Sequence, residues 1–416
     1  MVYRLSNTIQ PYAWGSKDAL AELYGFERAR GEPMAELWMG AHPRAVSRIS
    51  VNDTEVGLDA YIAEHPDRAL GPAADRFDSR LPFLFKILCA AAPLSIQVHP
   101  TLEQASVGFA AEDAAGVDRD APERNYRDDN HKPELICAIR PFWGLRGFRS
   151  VADIRDELTT VEFRAADARP TLPESEDELK DFFRRLLSMP EGPRRELIAA
   201  AVSLSSGRWP GGRPETVPEV GNPLARYYWV LRIAEEYPGD IGILSPLLLN
   251  VFSLRPGEAT YQPAGVLHAY LHGVGAELMA NSDNVLRGGM TVKHIDIDEL
   301  MTVGRFRSDA TVVLSGEEIS HRDDARPGDG AYCREIEYPT SFDEFAFSRL
   351  VAGGDCHVPA GTAQILFCHA GPLSVRCDGL DLDLSAGESV FVDAASEDLR
   401  VFGAGELFRA RVPDQS

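Results

Sequence analysis

Two periodicities of apolar residues alternate along the chain. Residues 81–89, Leu-Pro-Phe-Leu-Phe-Lys-Ile-Leu-Cys, and residues 94–99, Leu-Ser-Ile-Gln-Val-His, are short apolar runs of the kind that predicts buried strands. From about residue 151 the spacing lengthens. Leu179, Phe182, Phe183, Leu186 and Leu187 recur at i, i+3, i+4, i+7 and i+8, one buried helical face, and Ser175 with Glu178 predicts a capping box at its start. Further helices are predicted over 194–204 and 224–237. Strand patterns return over 247–252 and again from about 341, where the runs 364–369, 373–377, 380–384, 389–392 and 407–412 are separated by turns containing Gly or Asp. The order predicts a mainly β protein with a helical insertion. Residues 1–150 and 246–314 form one β-domain, 151–245 the α-helical insertion and 315–416 a second β-domain of jelly-roll type. An exposed linker is expected over 315–332, which is rich in Gly, Asp, Glu and Arg.

An internal similarity supports two copies of one β-fold. Gly257-Glu258, Tyr261 and Ala264 recur in register as Gly387-Glu388, Phe391 and Ala394. On that alignment His268 falls opposite Asp398, so only the first copy keeps a metal-binding histidine.

Length and charge narrow the partners. A chain of 416 residues is long enough for two or three domains, and a net charge of −22 opposes nucleic acid or an anionic membrane surface. No apolar run reaches signal-peptide or membrane-span length, which predicts a cytoplasmic protein. The six cysteines show no C-x-x-C spacing, so neither a disulfide framework nor a thiolate zinc site is indicated.

The candidate chemistry is a metal centre. Gln97 and His99 lie at i and i+2 of a predicted strand, so both side chains leave one face and can converge on one ion. In Gly257-x5-Pro263-x-Gly265-x2-His268 the glycines and proline shape a tight turn that presents His268 from the next strand, the spacing of the second cupin motif. Glu134, in His131-Lys132-Pro133-Glu134, puts a carboxylate at the head of the apolar run 135–139, where a charge needs a partner. Two imidazoles, a carboxylate and an amide oxygen suit Zn²⁺ with a position left open for water.

Several longer runs then carry a resemblance. Pro11-Tyr-Ala-Trp-Gly15, Glu36-Leu-Trp-Met-Gly-Ala-His-Pro43, Leu94-Ser-Ile-Gln-Val-His-Pro100, His131-Lys-Pro-Glu134, Gly265-Val-Leu-His-Ala-Tyr270 and the stretch from Glu277 to Lys293 together resemble the type I mannose-6-phosphate isomerases of the cupin superfamily. The resemblance implies two cupin-like β-domains with a helical insertion and one Zn²⁺ per chain on Gln97, His99, Glu134 and His268. It also implies a catalytic Arg287, in Asp283-Asn-Val-Leu-Arg287, and site lysines at Lys86, Lys132 and Lys293. Val292 departs from the proline common before that last lysine. The implied activity is interconversion of mannose 6-phosphate and fructose 6-phosphate through an enediolate, feeding mannose and GDP-mannose metabolism, in a monomer whose partner is its small sugar-phosphate substrate.

For that reaction Arg287 and Lys132 are the expected holders of developing negative charge, since a guanidinium keeps its proton at working pH. His131 is the candidate for ring opening. Asp283 or Glu277 is the candidate shuttle for the C–H proton, the alternative being that they orient Arg287 or Lys132. The phosphate is expected among Lys86, Ser95 and Lys293, and Trp14, Trp38 and Tyr270 are expected to wall the pocket. Two other classes share the ligands: a non-catalytic metal cupin that binds a sugar phosphate, and a non-haem iron dioxygenase, for which two histidines and a carboxylate suffice.

Overall fold

The computed structural model describes residues 1–416 except 28–30, 162–169, 212–215, 320–331 and 415–416. Its centre is the 13-residue strand His268–Ala280, whose two halves serve two different sheet faces. The first half pairs with Phe142–Phe148 and, at His268, with Ile96–Val98; the second half pairs with Phe83–Ala90 and Glu134–Ala138. The bend between the halves falls at a register shift between Tyr270 and His272. Around this strand the order runs Leu249–Leu254, Phe142–Phe148, His268–Ala280, Phe83–Ala90, Glu36–Gly40, Thr8–Gln10, with Ala259–Gln262 on Glu134–Ala138 and Leu286–Gly289 on Ile96–Val98. All eight residues of Phe83–Ala90 are buried, as its unbroken apolar run requires.

The second sheet runs Val2–Arg4, Ser389–Val392, Gln364–Ala370, Leu399–Arg411, Ala346–Val358, Tyr332–Tyr338, Glu317–Ile319. Its first strand comes from the opposite end of the chain, with Val2 facing Val392 in register. The two sheets share one core in which Phe85 meets Phe347 and Phe367, with ring centroids 5.9 and 6.3 Å apart. The internal similarity has a structural counterpart. Gly257 and Gly387 both take the left-handed conformation (φ 87° and 93°), each precedes a four-residue strand, and each copy ends in a 13-residue strand.

The helical segment packs on the Phe142–Phe148 side. Leu179–Leu187, Glu191–Arg208 and Ala225–Glu236 are helices, and Trp143 meets Trp229 among them. Two local expectations are corrected. Ser175 makes no cap; the Glu178 carboxylate instead accepts from the Glu174 N–H at 3.0 Å, and a 3-10 turn, Glu176–Glu178, leads into the helix. The strand expected over 247–252 begins only at Leu249, because Pro246 opens a short helix, Ser245–Leu248. Most of the linker expected over 315–332 lies outside the described residues; Glu317–Ile319 is an edge strand.

Candidate metal centre

Three strands bring the site together. Gln97 is opposite both His268 and Arg287, so the three share one row on one face of the sheet. His99 follows at the next turn of the pleat, and Glu134 heads its strand opposite Gln262. Among the described residues, His99, Glu134 and His268 form the group of buried acidic and imidazole side chains close enough to hold one ion.

The proton positions in this group follow from its hydrogen bonds. His99 Nδ1–H donates to the Asn284 carbonyl at 2.7 Å, and His268 Nδ1–H to the Val266 carbonyl at 3.0 Å. Each ring therefore turns an Nε2 lone pair inward, toward Glu134, at 3.2 Å from Oε1 and 3.3 Å from Oε2. Burial, with Lys132 adding to it, pulls His99 down to about 4, so its ring is neutral near neutral pH. A neutral Nε2 facing a carboxylate is lone pair against lone pair, and His99 Nε2 makes no hydrogen bond of acceptable geometry despite the short approach. Such a cluster is stable when a cation lies between its members, which is how the residues present fit a divalent metal. Burial is the largest single influence and opposes the charge on Glu134, but the Lys132 ammonium, 2.8 Å from Oε1, and the two imidazoles together outweigh it and hold the carboxyl well below its usual range. The Tyr270 hydroxyl donates to Oε2 at 3.5 Å.

The second charged group lies one row across. Lys86 is opposite both Trp38 and Glu277 in register. Its ammonium is 2.9 Å from Glu277 and 3.7 Å from Glu36, over the Trp38 ring, while Trp38 Nε1–H donates to Glu36 at 2.7 Å. Burial pushes the Glu277 carboxyl up despite Lys86, and the Glu134 and Glu36 charges add to the rise.

The other expected site residues divide. Arg287 is half-buried and has no hydrogen bond or ion pair among the described residues; burial and the nearby Arg127 lower its pKa. Lys293 is likewise lowered by burial and by the charges of Arg287, Arg127 and Arg44, which marks a cluster of cations. Ser95 is half-buried in the turn leading into the Gln97 strand. Asp283 is not paired with Arg287: it takes Arg44 at 3.2 Å and His42 at 3.7 Å. The His131 ring is turned to Glu344, at the edge of the second β-unit, rather than toward the cluster. Lys86 is held by two carboxylates rather than standing open to an anion. Trp14 stacks on Tyr12, with centroids 5.7 Å apart.

Sequence patterns missed three contributors. Gln262 is fully buried opposite Glu134, with neither amide atom partnered among the described residues. Asn284 is buried too, and its side-chain amide ties the 127–130 loop by donating to the Asp128 and Asn130 carbonyls while its carbonyl end accepts from Arg127 N–H. Arg127 is the third. Only Gln262 had a usable signal, since it stands one residue before the motif proline.

Comparison with known proteins gives concordant findings. The family described as phosphomannose isomerase type I, catalytic domain, matches residues 2–151. The mannose-6-phosphate isomerase of Salmonella typhimurium is 43% identical over 411 residues, covering 98% of each chain, and that of Homo sapiens is 35% identical over 323 residues, covering 72% of each. A crystal structure of mannose 6-phosphate isomerase bound with zinc and yttrium superposes with a TM-score of 0.86 at 39% identity, covering 99% of this chain and all of that one.

Proposed function

The chain belongs to the type I phosphomannose isomerases, and from that premise we propose how its pocket interconverts mannose 6-phosphate and fructose 6-phosphate. Zn²⁺, one per chain, would be held by His99, Glu134 and His268 with Gln97 beside them; when bound it supplies Lewis acidity toward the sugar oxygens at C1 and C2. Everything else falls to side chains of this protein.

The phosphate is met by Lys293, with Arg127 nearby, while Arg287 beside them faces the negative charge that develops on the sugar. What supports this is charge without compensation: burying a guanidinium next to other cations is costly unless an anion arrives. Ser95 is a further donor to the same phosphate and Lys86 a more remote positive charge, fixed by Glu36 and Glu277.

Glu277 is the better of the two expected proton shuttles. Burial pushes the Glu277 carboxyl up, toward holding a proton, whereas Asp283 is ion-paired with Arg44. Lys132, bonded to Glu134, is placed to hold negative charge that develops on an enediolate oxygen. For His131 the Glu344 contact favours fastening the two β-units over ring opening. The net charge of −22 supports a cytoplasmic monomer that avoids nucleic acid and membrane; no helix of the described residues is long and apolar enough to cross a bilayer.

The observation that carries this reading is the unpartnered Arg287 in one row with Gln97 and His268. Replacing Arg287 by Ala is expected to leave zinc content at one per chain while isomerisation falls by about three decades, as for loss of a transition-state charge partner. Near-normal turnover in a zinc-loaded Arg287→Ala protein would remove Arg287 from this role.

A further inference from the structure

Gln262 carries an amide whose nitrogen and oxygen are both fully buried and both without a hydrogen-bond partner among the described residues. Such a group costs stability unless something meets it, because its lost contacts with water are not replaced. Strand alternation says where it points. Along Ala259–Gln262, Ala259 and Tyr261 pack in the core shared by the two β-units, so Thr260 and Gln262 face the barrel interior. There Thr260 is opposite Ile136, which belongs to the interior cluster around Tyr270, and Gln262 is opposite Glu134.

Directly opposite residues carry their Cβ atoms about 5 Å apart, so the Gln262 amide and the Glu134 carboxylate, on stems of equal length, stand side by side. The two carboxylate oxygens are not equally served. Oε1 has the Lys132 ammonium at 2.8 Å. Oε2, apart from the His268 ring, has the Tyr270 hydroxyl at 3.5 Å, the outer limit of a hydrogen bond, and that hydroxyl also reaches Glu277. The backbone around Gln262 is pinned: the Tyr261 carbonyl accepts from Arg146 Nε–H at 3.1 Å, and Gly265 N–H donates to the His99 carbonyl at 2.8 Å. What remains able to turn is the Gln262 side chain.

We propose that Gln262 is a positioning residue of the metal centre: in the zinc-loaded protein its amide N–H donates to Glu134 Oε2 and fixes the plane of the carboxylate. The inference rests on the reading of His99, Glu134 and His268 as the metal site. A ligating carboxylate that is itself hydrogen-bonded is held in the orientation its ion needs, and loss of such an outer partner typically costs about 10–100-fold in metal affinity.

The test uses Gln262→Leu and Gln262→Met, which keep the bulk of the side chain and remove the amide. Zinc affinity is measured by competition with a chromophoric chelator, and urea midpoints are measured with and without excess EDTA. Affinity is expected to fall about tenfold or more in both variants. In EDTA the midpoints should hold or rise, because an unpartnered buried amide has given way to an apolar group. A merely structural role cannot separate the two readouts, since a packing defect lowers the midpoint in EDTA as well. Zinc affinity within about twofold of wild type in either folded variant overturns the proposal, and so does a midpoint in EDTA that falls along with the affinity. His99→Ala, measured alongside, tells this failure from that of the reading beneath it: it should lose zinc, and wild-type affinity there would mean that the metal centre itself is misassigned.

Discussion

His42 stands where charge and burial work against each other. Burial is the main cause holding its imidazole down to about 4, and Lys86, Arg44 and Lys132 add to it against Asp283, 3.7 Å away. The folded protein therefore refuses a proton that the unfolded chain accepts near 6.5, so stability is full above about pH 6.5 and falls as pH drops toward 4. The loss is at most on the order of 3 kcal/mol. Other groups titrate in that window, so the measurement is a difference: urea midpoints of the wild type and of His42→Asn between pH 4 and 7. The wild-type profile should fall more steeply, and parallel profiles would refute the assignment. At this scale the cluster of His99, Glu134 and His268 was legible because strand position and a fixed turn spacing place its members. The partners of these and the neighbouring site residues were not, since the Asn284 carbonyl that fixes the His99 tautomer and the Glu344 that claims His131 come from loops with no local periodicity.

The elements were readable where one period ran long enough. The apolar face of Leu179–Leu187 and the unbroken run in Phe83–Ala90 gave helix and strand directly, whereas the four residues of Ser245–Leu248 were too few for period to decide between them. Cross-strand packing decides details that periodicity leaves open. Gly144 is opposite Phe252 in register, and a Cβ built on it would come within 2.4 Å of that ring. The aromatic ring covers the glycine, so the pair of strands under the helical segment depends on the missing side chain. Gly144→Ala should lower the free energy of unfolding by about 1–3 kcal/mol through overpacking. A further Phe252→Leu change, which makes room, should recover part of it. Chemical denaturation of the two variants checks this, and an unchanged midpoint for Gly144→Ala would show that the ring moves aside freely.

At the scale of the whole molecule, the two β-units are bound together by the beginning of the chain as well as by their shared core. Val2–Arg4 completes the second sheet, and just beyond its partner strand Asp393 lies fully buried. Its carboxylate takes the Tyr61 hydroxyl at 2.9 Å and the Arg68 guanidinium at 3.0 Å, both from helices that follow the first strands, with the chain's amino terminus 3.7 Å away. Nothing in the sequence near Asp393 foretells this, because its three partners lie more than 300 residues upstream. Removing the carboxylate takes the acceptor from Arg68 and leaves the Tyr61 hydroxyl only that of Tyr3, 3.0 Å away. The cost should approach, without reaching, the roughly 3–5 kcal/mol of a fully buried broken pair, since Arg68 is half-exposed and can turn to water. Asp393→Ala is therefore expected to denature at distinctly lower urea concentration. Its zinc content and turnover per folded molecule should be unchanged, because His99, Glu134, His268 and Arg287 all lie in or next to strands of the other sheet. If stability and turnover fell together under conditions where the variant is fully folded, the second β-unit would be acting on the reaction itself rather than only supporting the barrel that performs it.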